Sequence, residues 1–68
     1  MARTLPELRA LLLTLPGVLE AEIEGEEPAH LRVEFGGEEE LEHVIVLCAL
    51  FDWSIVRTED RWSVVVVG

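Results

Sequence analysis

The sequence predicts an α+β domain of order αββαββ, a four-stranded sheet with two helices on one face. Three observations carry this. Two stretches repeat apolar residues at helical spacing. Each is followed by two stretches of alternating apolar and polar residues. The whole pattern occurs twice within 68 residues, in units of about 4–36 and 38–68 that form a single domain. Two such units pack as one sheet with both helices on the same side.

In the first unit, Thr4-Leu5-Pro6-Glu7 is a capping-box pattern with proline in the first turn. Leu5, Leu8, Leu12 and Leu15 recur at helical spacing, flanked by Leu11, and Pro16-Gly17 stops the helix. Leu19, Ala21 and Ile23 then alternate with Glu20, Glu22 and Glu24, which is a half-buried strand. Gly25-Glu26-Glu27-Pro28 is a turn. Leu31, Val33 and Phe35 alternate with Arg32 and Glu34 as a second strand, closed by Gly36-Gly37.

In the second unit, Glu38, Glu39 and Glu40 suit a helix start, where the macrodipole favours negative charge. Leu41, Val44, Ile45, Cys48 and Phe51 follow at helical spacing. Trp53 and Ile55 begin a third strand, Glu59-Asp60 turns a hairpin, and Trp62, Val64 and Val66 form one face of a fourth. Leu8, Leu11, Leu12 and Leu15 match Leu41, Val44, Ile45 and Cys48 at an offset of 33, and residues 31–37 match 62–68 at an offset of 31. A shorter second hairpin loop would account for the drift.

The expected sheet has the second strand of each hairpin in the centre and the first strands at the edges. Residues 64–67, the most apolar strand, suit a central place. This is a ferredoxin-like sandwich whose first strand has moved to the C-terminus. The expected core is Leu5, Leu8, Leu12, Leu15, Leu19, Ile23, Leu31, Val33, Phe35, Leu41, Val44, Cys48, Phe51, Ile55, Val64 and Val66. Chains this short are marginal alone, and oligomerisation is the natural supplement.

Leu15-Pro16-Gly17-Val18-Leu19-Glu20-Ala21-Glu22-Ile23, the hairpin to Leu31-Arg32-Val33-Glu34-Phe35 and the acidic helix start resemble heavy-metal-associated domains, over about residues 5–55. That family carries a cysteine pair just before its first helix. Here the place is residues 1–4, which hold no cysteine, and the first strand is missing there. ACT-type regulatory domains share the sandwich. The resemblance implies a fold and a metal-sensing or small-ligand alternative, and it assigns no functional residue.

Composition narrows the function classes. Fourteen acids against five bases give a net charge of −9, which argues against nucleic acid as a partner. An apolar content of 50% argues against disorder, and one cysteine makes no internal disulfide. No signal-peptide pattern occurs, and no apolar run reaches the ~18 residues of a membrane span, so the expected location is the cytoplasm. The absence of Asn and Gln fits heat adaptation, and the absence of Lys fits a GC-rich genome.

No catalytic, cofactor-binding or metal-binding residue is assigned, and the chain reads as a non-enzyme. His43 and Cys48 are five residues apart, about 140° around a helix, so they do not share a metal or act as a thiol–imidazole pair. Cys48 reads as core, His43 as a surface partner of Glu39, and His30 as solvent-facing. Gly36-Gly37 reads as a turn and cap rather than a phosphate cradle.

Two surfaces stand out. Glu20, Glu22, Glu24 and Glu34 form an acidic face, with Arg32 among them relieving the repulsion, which reads either as a solvated face or as a docking face for a basic protein partner. Val56, Val65 and Val67 would make the other half of that face apolar, and Val46 and Leu50 make the second helix apolar nearly all round. Such patches mark interaction sites, and a homodimer or larger assembly is expected. Trp62 is expected opposite Arg57 as a cation–π pair, with both tryptophans in the core. The function expected is a non-catalytic, self-assembling interaction module.

Overall fold

The computed structural model describes residues 3–26 and 28–68. Met1, Ala2 and Glu27 lie outside them, so the expected turn at residues 25–28 and the segment before the first helix are only partly described.

Thr4 is extended (φ −125°, ψ 160°), and its Oγ1 accepts from the Glu7 amide at 3.4 Å. The Glu7 carboxylate in turn accepts from the Thr4 hydroxyl at 3.2 Å and from the Arg3 amide at 3.5 Å. The cap thus uses the expected residues and starts α1 (Leu5–Leu13), which buries Leu8 and Leu12. Gly17 takes the chain round at φ +85°, and a Cβ there would collide with the Glu40 side chain. Glycine meets both demands.

β1 (Val18–Glu24) and β2 (His30–Phe35) form the first hairpin, with Ala21 opposite Val33 and Ile23 opposite Leu31. A bulge between Val18 and Glu20 corrects the sequence expectation. It pairs Val18 with Phe35, leaves Leu19 as the extra residue and keeps Glu20 opposite Glu34. Val18 therefore packs on the core, and Leu19, expected inside, is 71% exposed. Ile23 was also expected inside. It is 42% exposed, near the free end of an edge strand.

α2 (Glu38–Leu50) has Gly37 at its N-cap without a side-chain bond, and three glutamates in its first turn offset the dipole. It closes in a Schellman arrangement. The Trp53 amide donates to the Cys48 carbonyl at 2.8 Å and the Asp52 amide to the Ala49 carbonyl at 3.3 Å, with Asp52 left-handed at φ 61°. β3 (Ser54–Arg57) and β4 (Ser63–Val67) complete the chain.

The four strands are antiparallel in the order β1-β2-β4-β3, with the valine strand in the centre as expected. Leu8, Leu12, Leu41, Val44 and Cys48 of the helices pack on Ala21, Leu31, Val33, Phe35, Val64 and Val66, which share one sheet face. Leu5, Leu15, Phe51 and Ile55, expected in the core, are partly buried at its margin. Among the described residues no helix is long and apolar enough to cross a membrane.

Val33 pairs with Val64, its counterpart at the offset of 31, and the pairs Arg32–Val65 and Glu34–Ser63 are symmetric about it. A pseudo-two-fold axis through that pair maps the central register onto itself. The hairpin loops, 25–29 and 58–62, are equal in length, so a shorter second loop is not the source of the drift. The units differ instead in the helix, 9 residues against 13, and in the first strand, 7 against 4.

Candidate interaction surfaces

The residues pointing away from the helices in β1 and β2 are charged. Glu20 lies opposite Glu34, Glu22 opposite Arg32 and Glu24 opposite His30. The four expected acidic residues are thus brought together on one face. Arg32 stands among three of them, and its planar fork serves all three. Nε donates to Glu24 at 2.9 Å, one terminal nitrogen to Glu34 at 3.0 Å and the other to Glu22 at 3.1 Å. The guanidinium holds the Glu24 carboxyl below the usual carboxylate range and is itself pushed upward by Glu24. His30 adds its Nε2 at 3.4 Å from Glu24, and it is half-buried rather than solvent-facing.

Glu20 is excluded from the fork. Its neighbours are the carboxyls of Glu22 and Glu34, and hydrogen bonding to them, reinforced by their repulsion, pushes it up to about 7. The face is therefore a network around one arginine with one protonatable carboxyl at its edge. Alternation in the sequence sets Arg32 among glutamates, but the three-way fork needs the register.

The other half of the face is apolar. Val65 lies between Arg32 and Val56, and Val67 lies opposite Ser54. Val56 is 52% exposed, and Val65 and Val67 are half-buried. Ser63, beside Glu34, is buried and meets the Thr58 hydroxyl at 3.0 Å.

The remaining expected residues, Val46 and Leu50, lie on α2 in the opposite layer and are 59% and 71% exposed. With Leu15, His43 and Leu47 they line a shallow groove of about 240 Å³. Cys48 is turned the other way. It is buried, and desolvation pushes its thiol up to about 11, which suits a core residue and not a nucleophile.

A further cleft of about 420 Å³ lies between α2 and the second hairpin, lined by Glu38, Leu41, Glu42, Ile45, Arg57, Arg61 and Trp62. It is not legible in the sequence, because it depends on a hairpin register that differs from the one expected. Arg57 pairs with Val64, so Trp62 does not face it. Arg61 stacks over the Trp62 ring instead, at 4.9 Å, while the ring edge meets Phe35 at 6.2 Å and 83°. Trp62 is 38% exposed, not in the core, and Trp53 packs at the core margin. Among the described residues no three His, Cys, Asp or Glu side chains are grouped to hold a metal ion.

Compared with protein-family models, with curated proteins and with solved structures, the chain finds no match in any of the three.

Proposed function

We propose that this chain is a small acidic cytoplasmic protein, a non-catalytic module that self-assembles and docks a basic protein. One observation carries the reading. Leu19 and Leu50 are each 71% exposed, Val46 59% and Val56 52%, in a chain of only 68 residues. Large apolar side chains concentrated on so small a surface favour burial against another molecule. Light scattering at micromolar concentration is expected to give a mass above the 7.6 kDa of one chain, and a monomeric mass refutes the reading. A basic partner on the glutamate face would be released by high salt. The composition supports heat adaptation, with an expected Tm above ~60 °C.

A small-ligand or metal-sensing module of the ACT or heavy-metal-associated kind is the second reading. The cleft favours its small-ligand form, since about 420 Å³ falls within the range of small-molecule sites and two arginines and an indole line it. A rise in Tm with one amino acid or divalent metal from a broad panel supports this reading. No shift across the panel defeats it.

A further inference from the structure

We infer that two copies of this chain pair through α2, antiparallel about a two-fold axis beside Val46 and Leu47. The inference rests on the self-assembly reading above and names the surface that performs it. His43, Val46, Leu47 and Leu50 follow the spacing i, i+3, i+4, i+7 and line one groove. Leu41, Val44 and Cys48 occupy the other side of the same helix and are buried. α2 thus carries a second, largely apolar stripe, of which the protomer covers Leu47 in part and leaves Val46 and Leu50 exposed.

Charge selects the occupant. Two copies at −9 each repel unless their least charged surfaces meet. The residues that line the groove, Leu15, His43, Val46, Leu47 and Leu50, include no Asp, Glu or Arg. A basic partner finds nothing to pair with there and finds glutamates on the opposite face. The valine half of the sheet is a poorer choice for self-pairing. It adjoins Arg32 and Glu34, so stacking two sheets would desolvate that ion network. The free edge of β1 is guarded as well, since Arg9 donates to the Ala21 carbonyl at 2.6 Å.

Charge also sets the direction. Glu38, Glu39, Glu40 and Glu42 crowd the start of α2, whose 13 residues span about 20 Å. Antiparallel pairing separates the two acidic ends by more than twice the ~8 Å Debye length, whereas parallel pairing sets them side by side. The stripe is then self-complementary, as a two-fold interface requires. His43 meets Leu50 of the second copy, and Val46 meets its Leu47. A stable dimer buries about 800 Å² on each partner. Contact of that size extends beyond the stripe to the flanking residues of both copies.

Leu50→Glu and Val56→Glu separate the two apolar faces, and both positions are exposed enough for the fold to persist, as circular dichroism would verify. Light scattering is expected to show L50E as a monomer and V56E at the parent mass. Val46→Cys puts a thiol beside the axis, while the buried Cys48 stays out of reach. Oxidised V46C is expected to run as a covalent dimer on a non-reducing gel, and Val56→Cys is not. A monomeric parent overturns both this inference and the self-assembly reading. An oligomeric parent overturns only the α2 pairing if L50E keeps its mass, if V56E splits it, or if V46C fails to cross-link.

Discussion

The two αββ units share one framework and carry opposite surfaces. The first has a charged outer sheet face, with its exposed apolar residues Leu19 and Ile23 on the edge strand. Its sheet face is tied by the Arg32 fork, and α1 shows a single buried stripe of Leu8 and Leu12. The second is apolar outside. Its helix exposes Ile45, Val46 and Leu50, and its edge strand exposes Val56. Leu8 and Leu41 match at the repeat offset of 33 and are both inward, but Leu12 is buried where its counterpart Ile45 is 42% exposed. The same pattern of apolar residues is thus read through a different helix rotation. Folding leaves apolar side chains exposed in both units, chiefly Leu19 and Ile23 on the edge strand of the first, and Val46 and Leu50 on the helix of the second with Val56 on its edge strand.

Truncating that matched pair separates a closed core position from a half-exposed one. Leu12→Ala is expected to cost about 2–5 kcal/mol, as deletions in closed cores do. Ile45→Ala is expected to cost about 1 kcal/mol or less, because much of the side chain already meets water. Urea unfolding of both variants, with unchanged slopes, measures the difference. Equal losses would mean that the two units bury their helices alike.

The framework was legible because it rests on local signals. The capping residues around Thr4, the Pro16-Gly17 stop and the period-two strands each have one structural meaning, and pairing two hairpins through their second strands follows from which strand is most apolar. What was not legible depends on register. Alternation cannot reveal that Leu19 is a bulge residue, since Val18 and Leu19 are both apolar and either can be read as the inward residue. The second hairpin slipped from the expected pairing because Glu59-Asp60 is a weak turn signal, and with that slip went the Trp62–Arg57 pair and the cleft beside it. Alternation does place the glutamates of the candidate face on one side of the sheet. Their coupling depends on which of them Arg32 can reach at once.

A second comparison lies where each helix ends. Each helix is followed by a left-handed residue, Asp52 (φ 61°) directly after the cap of α2 and Gly17 (φ +85°) three residues beyond the Thr14 cap of α1. Gly17→Ala is expected to destabilise by about 1–2 kcal/mol from backbone strain alone, with a further loss from the Glu40 collision. Adding Glu40→Ala should return the collision share and not the strain. Asp52→Gly is expected to stabilise by about 0.5 kcal/mol, since relief of strain is partly offset by a more flexible unfolded chain. Thermal melts of the four proteins test this, and a neutral G17A would show that the turn does not need glycine.

The smallest expected effect belongs to Glu20, the carboxyl that Arg32 does not serve. Its folded-state value of about 7 lies above the ordinary 4.5, so the folded protein holds a proton there that the unfolded chain releases. The stability from that proton is complete below pH 4.5 and is lost as the pH rises through 7. Glu24 has the opposite sign. Its carboxyl is lowered by Arg32, so its contribution is present above the ordinary carboxylate range and fades only as the solution becomes more acidic. The two groups therefore act in separate windows. Glu20→Gln keeps a donor toward Glu22 and Glu34 at every pH. Its Tm is expected to equal the parent's near pH 4.5 and to exceed it progressively up to pH 8. Differencing the two curves cancels every group the proteins share. A constant offset across that range would mean that Glu20 is ionised normally and that the first unit's sheet face holds no shared proton.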